Sequence, residues 1–254
     1  MQLIDTHCHL DFPCFQPLAD KLFHWQQQGI SRFVVPAVGP SNWESVLALG
    51  KIPNIHIALG IHPCFMPSGD VMAAADALGM LLDQHRSQIV AVGECGLDRR
   101  FVSHMPWQRQ LLIRQLDYAH QYELPVILHC VRMYDELYSL LKQHSVPHGG
   151  IVHAFQGSLL QAQRFYQLGF KLGIGGAVSW PSAHKLRALL TQLPLDSFVL
   201  ETDAPDMPLY HGLKGENTPD SIFSIFQIVQ REIALDEEYL SEIFQSNSEK
   251  VLSL

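Results

Sequence analysis

His7 and His9 stand one residue apart at the end of the apolar opening run Met1 to Thr6. Successive side chains of an extended strand point to opposite faces, so this spacing puts both imidazoles on one face and turns Cys8 away. Neutral imidazole is the commonest protein ligand for metals, and a pair on a rigid strand supplies half of a four-coordinate site. Further ligand-type residues end short apolar runs in the same way: Glu94 in AVGECGLD, His129 in PVILHC, His153 in GIVHAF and Asp203 in LETDAP. Taken singly, each has an ordinary reading as a hydrogen-bonded core histidine or a helix-capping carboxylate. Taken together they do not, because a buried cluster of charges is tolerated only when paired or bound to a metal.

A mononuclear catalytic zinc site uses about three protein ligands and keeps one position open. The larger set here points to two divalent ions. Glu94 can offer one oxygen to each, with His7, His9 and Asp203 on one side, His129 and His153 on the other, and a water between. A pair of ions roughly 3.5 to 4 Å apart suits phosphodiester hydrolysis, since it stabilises both the attacking and the leaving oxygen. Oxygen and imidazole ligands accept zinc, magnesium, manganese, cobalt or nickel, and availability decides among them.

For these residues to meet, their runs must share a scaffold. Short apolar, β-branched segments recur at 2–6, 33–38, 55–59, 89–93, 125–128, 150–152, 170–174 and 198–201. Amphipathic stretches of helical length alternate with them at 17–28, 41–50, 70–85, 106–122, 134–144, 159–168 and 182–193. A last helical section, 219–252, breaks near Ala234-Leu235-Asp236, where Asp236 is placed to cap a second helix. Pro17 and Pro106 suit first helical turns, and Gly29 and Gly169 suit helix ends. The eight strand-then-helix units predict an α/β fold, a (β/α)8 TIM barrel occupying residues 1–254 as a single domain. Such barrels take roughly 250 residues and carry their chemistry at the C-terminal ends of the strands, where all the ligand candidates fall. A doubly wound sheet is the competing architecture, but the first strand-to-helix turn has no Gly-x-Gly-x-x-Gly and no lysine phosphate loop occurs.

The balance of 17 Lys and Arg against 25 Asp and Glu gives a formal charge of −8. That argues against a protein coating nucleic acid through a basic face, and it favours short or single-stranded substrates over long duplex. An odd count of 5 cysteines in a long chain fits a reducing, cytoplasmic setting, with Cys8, Cys95 and Cys130 expected as packing residues turned away from the site. No apolar run reaches membrane-spanning length and no signal-peptide pattern opens the chain, so no membrane role is expected.

The motifs LIDTHCHLDFP, ALGIHPC, VAVGECGLD, VILHC, VHAFQGS, GFKLGIGGAVS and VLETDAPDMP occur in order from the first strand to the last. In these the chain resembles the TatD family of metal-dependent hydrolases within the amidohydrolase superfamily. The resemblance implies a metal pair in a barrel and, in several members, deoxyribonuclease activity, commonly 3′ to 5′ exonucleolytic. Carried over by position, His7, His9, Glu94, His129, His153 and Asp203 match the family's ligands. Asp203 is implied also as acceptor of the proton of metal-activated water, and His62 as a residue near the substrate phosphate. Two positions depart from the family. Val131 stands where an arginine is common, with Arg132 following, so the phosphate-clamping side chain is displaced by one residue. Asp206 stands where many nuclease members carry an aromatic ring, and a carboxylate at the mouth disfavours polyanions.

Arg99 and Arg100 in the strand-four loop are further candidates for phosphate contact, and Trp180 for base stacking. The expected partner is DNA or a small phosphodiester. Metal-activated water attacks a carbonyl as well as a phosphorus centre, so hydrolysis of a carboxylic ester or amide, including an aminoacyl-tRNA ester, is the alternative.

Overall fold

In a computed structural model, described over residues 1–66 and 69–254, the strands form one sheet ordered β1 to β8. They are β1 (Leu3–Asp5), β2 (Ile30–Pro36), β3 (Ile55–Leu59), β4 (Ile89–Asp98), β5 (Val126–Val131), β6 (Gly150–Val152), β7 (Phe170–Ile174) and β8 (Phe198–Leu200). Every neighbouring pair is parallel. Main-chain bonds from Thr6 N–H to the Leu200 carbonyl (3.1 Å) and from Asp203 N–H to the His7 carbonyl (2.8 Å) bring the last strand back to the first. The result is a nearly closed TIM barrel.

Helices α1 (Leu18–Gln28), α2 (Trp43–Leu49), α3 (Val71–Gln84), α4 (Met105–Gln121), α5 (Tyr134–Gln143), α6 (Leu159–Gln167) and α7 (His184–Gln192) lie between successive strands. After β8 come α8 (Ser221–Ile233) and α9 (Glu237–Leu252). Local sequence sets several of their ends. Asp70 accepts the Met72 and Ala73 amides at the start of α3, Ser158 and Gln161 form a reciprocal capping box on α6, and Asp236 accepts the Tyr239 amide (3.1 Å) to start α9.

Covering both faces of the sheet explains why its strands read as unbroken apolar runs. Inside the barrel, Val34, Ala58, Ala91, Ile127, Ile151 and Val199 pack with Val251 and Leu252 of α9. Larger side chains, Phe33, Phe165, Phe170, Phe198 and Phe226, fill the layer between strands and helices. The Asn247 side chain donates to the Leu195 and Phe198 carbonyls (2.9 and 2.8 Å), and Arg32 pairs with Glu249 (2.9 Å). Through these bonds α9 plugs the end at which β2 and β8 begin, leaving the opposite end open.

Two local differences from the sequence reading matter for the site. β1 stops at Asp5, so His7 and His9 lie just past its regular ladder. β4 extends to Asp98 because β5 pairs with it that far, and its register breaks between Val92 and Cys95. Glu94 sits in that break, where a bulge re-aims a side chain.

The close approach of β4 to β5 depends on Gly96, at φ +152°, where a β-carbon would overlap the His129 carbonyl oxygen. Gly215 also has positive φ, +82°, but nothing lies within 4 Å of a β-carbon there. Gly96→Ala is therefore expected to lose about 3 kcal/mol or more in urea unfolding, and Gly215→Ala only about 1 kcal/mol. Equal losses would show that backbone conformation, not strand approach, sets the requirement.

Candidate metal centre

Glu94 stands at the middle of the open end, 2 % exposed, with its two oxygens facing different partners. Oε2 lies 3.2 Å from His7 Nε2 and 3.9 Å from His9 Nε2. Oε1 lies 3.0 Å from His129 Nδ1, 3.1 Å from His153 Nε2 and 3.3 Å from His62 Nε2. Asp203 Oδ1 is 3.5 Å from Nε2 of both His7 and His9. The strand-end residues thus meet, although they come from segments spread over the chain.

The donor set fits a divalent cation. Potential donor atoms of His7, His9 and Glu94 lie within 4.8 Å of one another, as do those of Glu94, His129 and His153 and those of His7, His153 and Asp203. Both ring nitrogens of His7 and the Nδ1 atoms of His9 and His153 are buried without a hydrogen-bond partner, a state that buried polar atoms normally avoid. His7 and His153 stack with centroids 4.1 Å apart, placing two imidazoles side by side against one carboxylate.

The electrostatics follow from this crowding. Burial alone would raise Glu94, but the imidazoles of His62, His153 and His7 and the bond from His129 hold it well below the usual carboxylate range. Asp203 is lowered likewise, burial being outweighed by His9, His153 and His7. Burial would lower the histidines, yet the carboxylates raise His9, His129 and, most strongly, His153. His7 stays lowered, by burial and by its neighbour His153. His62 falls to about 4, chiefly through burial. Its Nδ1 accepts the Cys64 amide (2.9 Å), so the proton of the neutral ring sits on Nε2 and points at the centre.

An outer ring of polar residues holds the ligands, and sequence reasoning did not assign it. Asp98 accepts from His129 Nε2 (2.9 Å), from the Cys64 thiol (3.2 Å) and, bidentately, from Arg100 (3.0 and 2.5 Å). That fixes the His129 tautomer and leaves Nδ1 facing Glu94. Glu201 accepts the Ala154 amide (2.5 Å) and faces His153 Nδ1 at 3.5 Å. Asp5 accepts from the Thr202 hydroxyl (2.6 Å) and amide (3.0 Å), and burial pushes it up to about 7. One signal was available: Asp98 ends the run AVGECGLD that carries Glu94, and Glu201 lies in LETDAP with Asp203, so each sits close in sequence to a ligand candidate. Ala154 and Asp203 adopt left-handed backbone, φ 47° and 56°, uncommon for non-glycine residues and held here by the Glu201 and His7 bonds.

The centre floors a cavity of about 930 Å³. Arg100, Arg132 and Lys214 supply cations to its walls, Asp206 a carboxylate, and Phe12, Phe65, Phe101 and Trp180 aromatic surface. Arg99, a candidate for phosphate contact, is exposed and does not line this cavity, whereas the turn after β4 delivers Arg100 to Asp98 at its wall. Cys8, Cys95 and Cys130 are buried.

The TatD related DNase family model matches residues 4–253. The metal-dependent hydrolase YjjV of Escherichia coli K12 is 43 % identical over 234 residues, covering 90 % of this chain and 89 % of that one. The crystal structure of that TatD homologue superposes with a TM-score of 0.92 at 38 % identity, over 99 % of this chain and 98 % of that one. A metal-dependent hydrolase of Haemophilus influenzae is 32 % identical, over 89 % of this chain and 90 % of that protein. The human protein named 3′-5′ RNA nuclease TATDN2 is 30 % identical over 80 % of this chain, which covers 28 % of that longer protein.

Because the neighbouring carboxylates favour the protonated forms of His9, His129 and, most strongly, His153, a cation competes with protons for these rings. Calorimetry in buffers of different ionisation enthalpy is expected to show proton release on metal binding at pH 7, with affinity falling as pH drops. Binding without proton release would contradict this. Asp98→Asn and Glu201→Gln are each expected to weaken metal binding roughly 10- to 100-fold while the fold persists; unchanged affinity would remove their orienting role.

Proposed function

The chain belongs to the TatD family of metal-dependent hydrolases, and on that footing we propose that it is a phosphodiesterase, a deoxyribonuclease acting on DNA ends or small nucleotides with 3′ to 5′ polarity. The observation that carries this is the division of partners between the two oxygens of Glu94. His7, His9 and Asp203 with Oε2 would hold one divalent ion, and His129 and His153 with Oε1 a second. Such a pair supplies Lewis acidity, easing deprotonation of water and neutralising phosphoryl charge. The human relative named an RNA nuclease supports a phosphodiester substrate and leaves the sugar open.

The chain's own groups then divide the work. Asp203, at 8 % exposure, is ionised and accepts the proton of the attacking water at its carboxylate. His62 remains neutral at pH 7 and directs its Nε2–H into the mouth, where it donates to a phosphate oxygen. Arg132 on the wall meets phosphate from the side, and Arg100 does so only as far as its clamp on Asp98 allows. Five free cysteines and the lack, among the described residues, of any helix long and apolar enough to cross a membrane support a cytoplasmic setting.

One feature favours a second reading. Asp206 on the cavity wall suits a substrate with a cation near the scissile bond, such as the α-ammonium of an aminoacyl ester. A panel of oligonucleotides, bis(p-nitrophenyl) phosphate, carboxylic esters and amides, run with magnesium, manganese, cobalt, nickel or zinc, separates the two. Phosphodiester cleavage is expected, with Asp203→Asn reducing kcat by roughly 10² to 10⁴. Turnover of esters alone would overturn the phosphodiesterase reading in favour of the second.

A further inference from the structure

A groove of about 610 Å³ opens off the mouth, and Gln156, Trp180, Met207 and Pro208 line both. Its far walls include Ser158 at the start of α6 and Ser182 and Lys185 at the start of α7. Trp180 is 44 % exposed, with the Tyr210 ring edge-on at 5.3 Å. The loop that carries it is held by bonds within the chain. Arg187 donates to the carbonyls of Val178 (2.9 Å) and Trp180 (2.8 Å), and the Tyr210 amide donates to the Ser179 hydroxyl (2.8 Å), tying the loops after β7 and β8 together. A large aromatic surface held open beside a mouth is a stacking platform, and base stacking on such a ring tolerates any sequence.

The mouth has the volume of a small-molecule site, roughly 300 to 1,000 Å³, so it takes a terminal unit and the rest of a polymer must leave along the surface. A smaller cleft of about 380 Å³ also adjoins Gln156, but there Arg132 shares the walls with Asp135 and Glu136. The groove beside Trp180 has Lys185 and no carboxylate among its lining residues. We infer that it is a second subsite for single-stranded nucleic acid: the nucleotide next to the one at the metal centre stacks its base on Trp180 and lays its phosphate against Lys185. A duplex is refused, because its base faces are already stacked. The inference rests on the phosphodiesterase reading and adds that the substrate is a strand end held over at least two units.

Binding tests it separately from catalysis. Anisotropy of labelled oligothymidylates and oligouridylates of one, two, three and six units is measured with the full chain in EDTA, where nothing is cleaved. Affinity is expected to rise about ten-fold from one unit to three, to lose that rise in Trp180→Ala, and to recover it in Trp180→Phe. Lys185→Gln is expected to flatten the salt dependence of the longer strands. With metal, Trp180→Ala should lower kcat/KM about ten-fold more on the trimer than on bis(p-nitrophenyl) phosphate. Affinity independent of length, or equal losses on long and short substrates, overturns the subsite. Length-dependent binding that needs Trp180, without cleavage under any metal, keeps the subsite and overturns the phosphodiesterase reading instead.

Discussion

A carboxylate withdrawn from water and surrounded by imidazoles is the constraint on which this molecule turns. Moving an ion the size of Glu94 into the interior costs several kcal/mol even after relaxation, and only close opposite charge or a coordinated cation offsets it. The bulge in β4 delivers Glu94 to that position, the ends of β1, β5 and β6 bring the rings to meet it, and the end of β8 brings Asp203. None of these segments makes the centre alone. The barrel supplies a rigid circle of strand ends whose spacing is set by main-chain ladders, independently of the polar cargo they carry.

Around that core lies a layer of residues that touch ligands rather than ions. Asp98 and Glu201 back the rings of His129 and His153, Asp5 ties Thr202 beside Asp203, and the Gln108 side chain accepts the Asp98 amide (2.7 Å). These contacts restrict rotations or tautomers that a ligand would otherwise have to lose on binding. The left-handed backbone at Ala154 and Asp203 belongs to the same arrangement, since local strain persists only where surroundings over-determine it. The apolar plug of Val251 and Leu252 at the other end leaves the polar groups a single place to gather.

The mouth above the centre follows different physics. Its floor is nearly sealed, whereas its walls mix Arg132 and Lys214 with Asp206 and exposed aromatic rings. With a formal charge of −8, the protein has little long-range attraction for a polyanion, so recognition has to come from short-range contacts at this rim. Floor and rim therefore answer separate questions: which bond can be broken, and which molecule presents it.

The sequence by itself determined the repeating strand-and-helix order, the ligand candidates, and several helix caps such as Asp236, because alternation and capping are local rules that hold within a few residues. His7 with His9, and Glu94, His129, His153 and Asp203 at strand ends, were legible for that reason. Only the tertiary structure decided what those residues lean on. Asp98 of β4 reaches His129 on the neighbouring β5, and Glu201 after β8 reaches Ala154 after β6, pairings between segments distant in sequence. It also decided that Arg100 and not Arg99 turns toward the mouth, through a short turn after β4 captured by Asp98. Trp180, read in sequence as a stacking candidate, became a wall shared by two cavities once the loops after β7 and β8 were bonded together. Side-chain direction in a strand follows from its period, whereas contacts between distant loops follow from how the whole sheet closes.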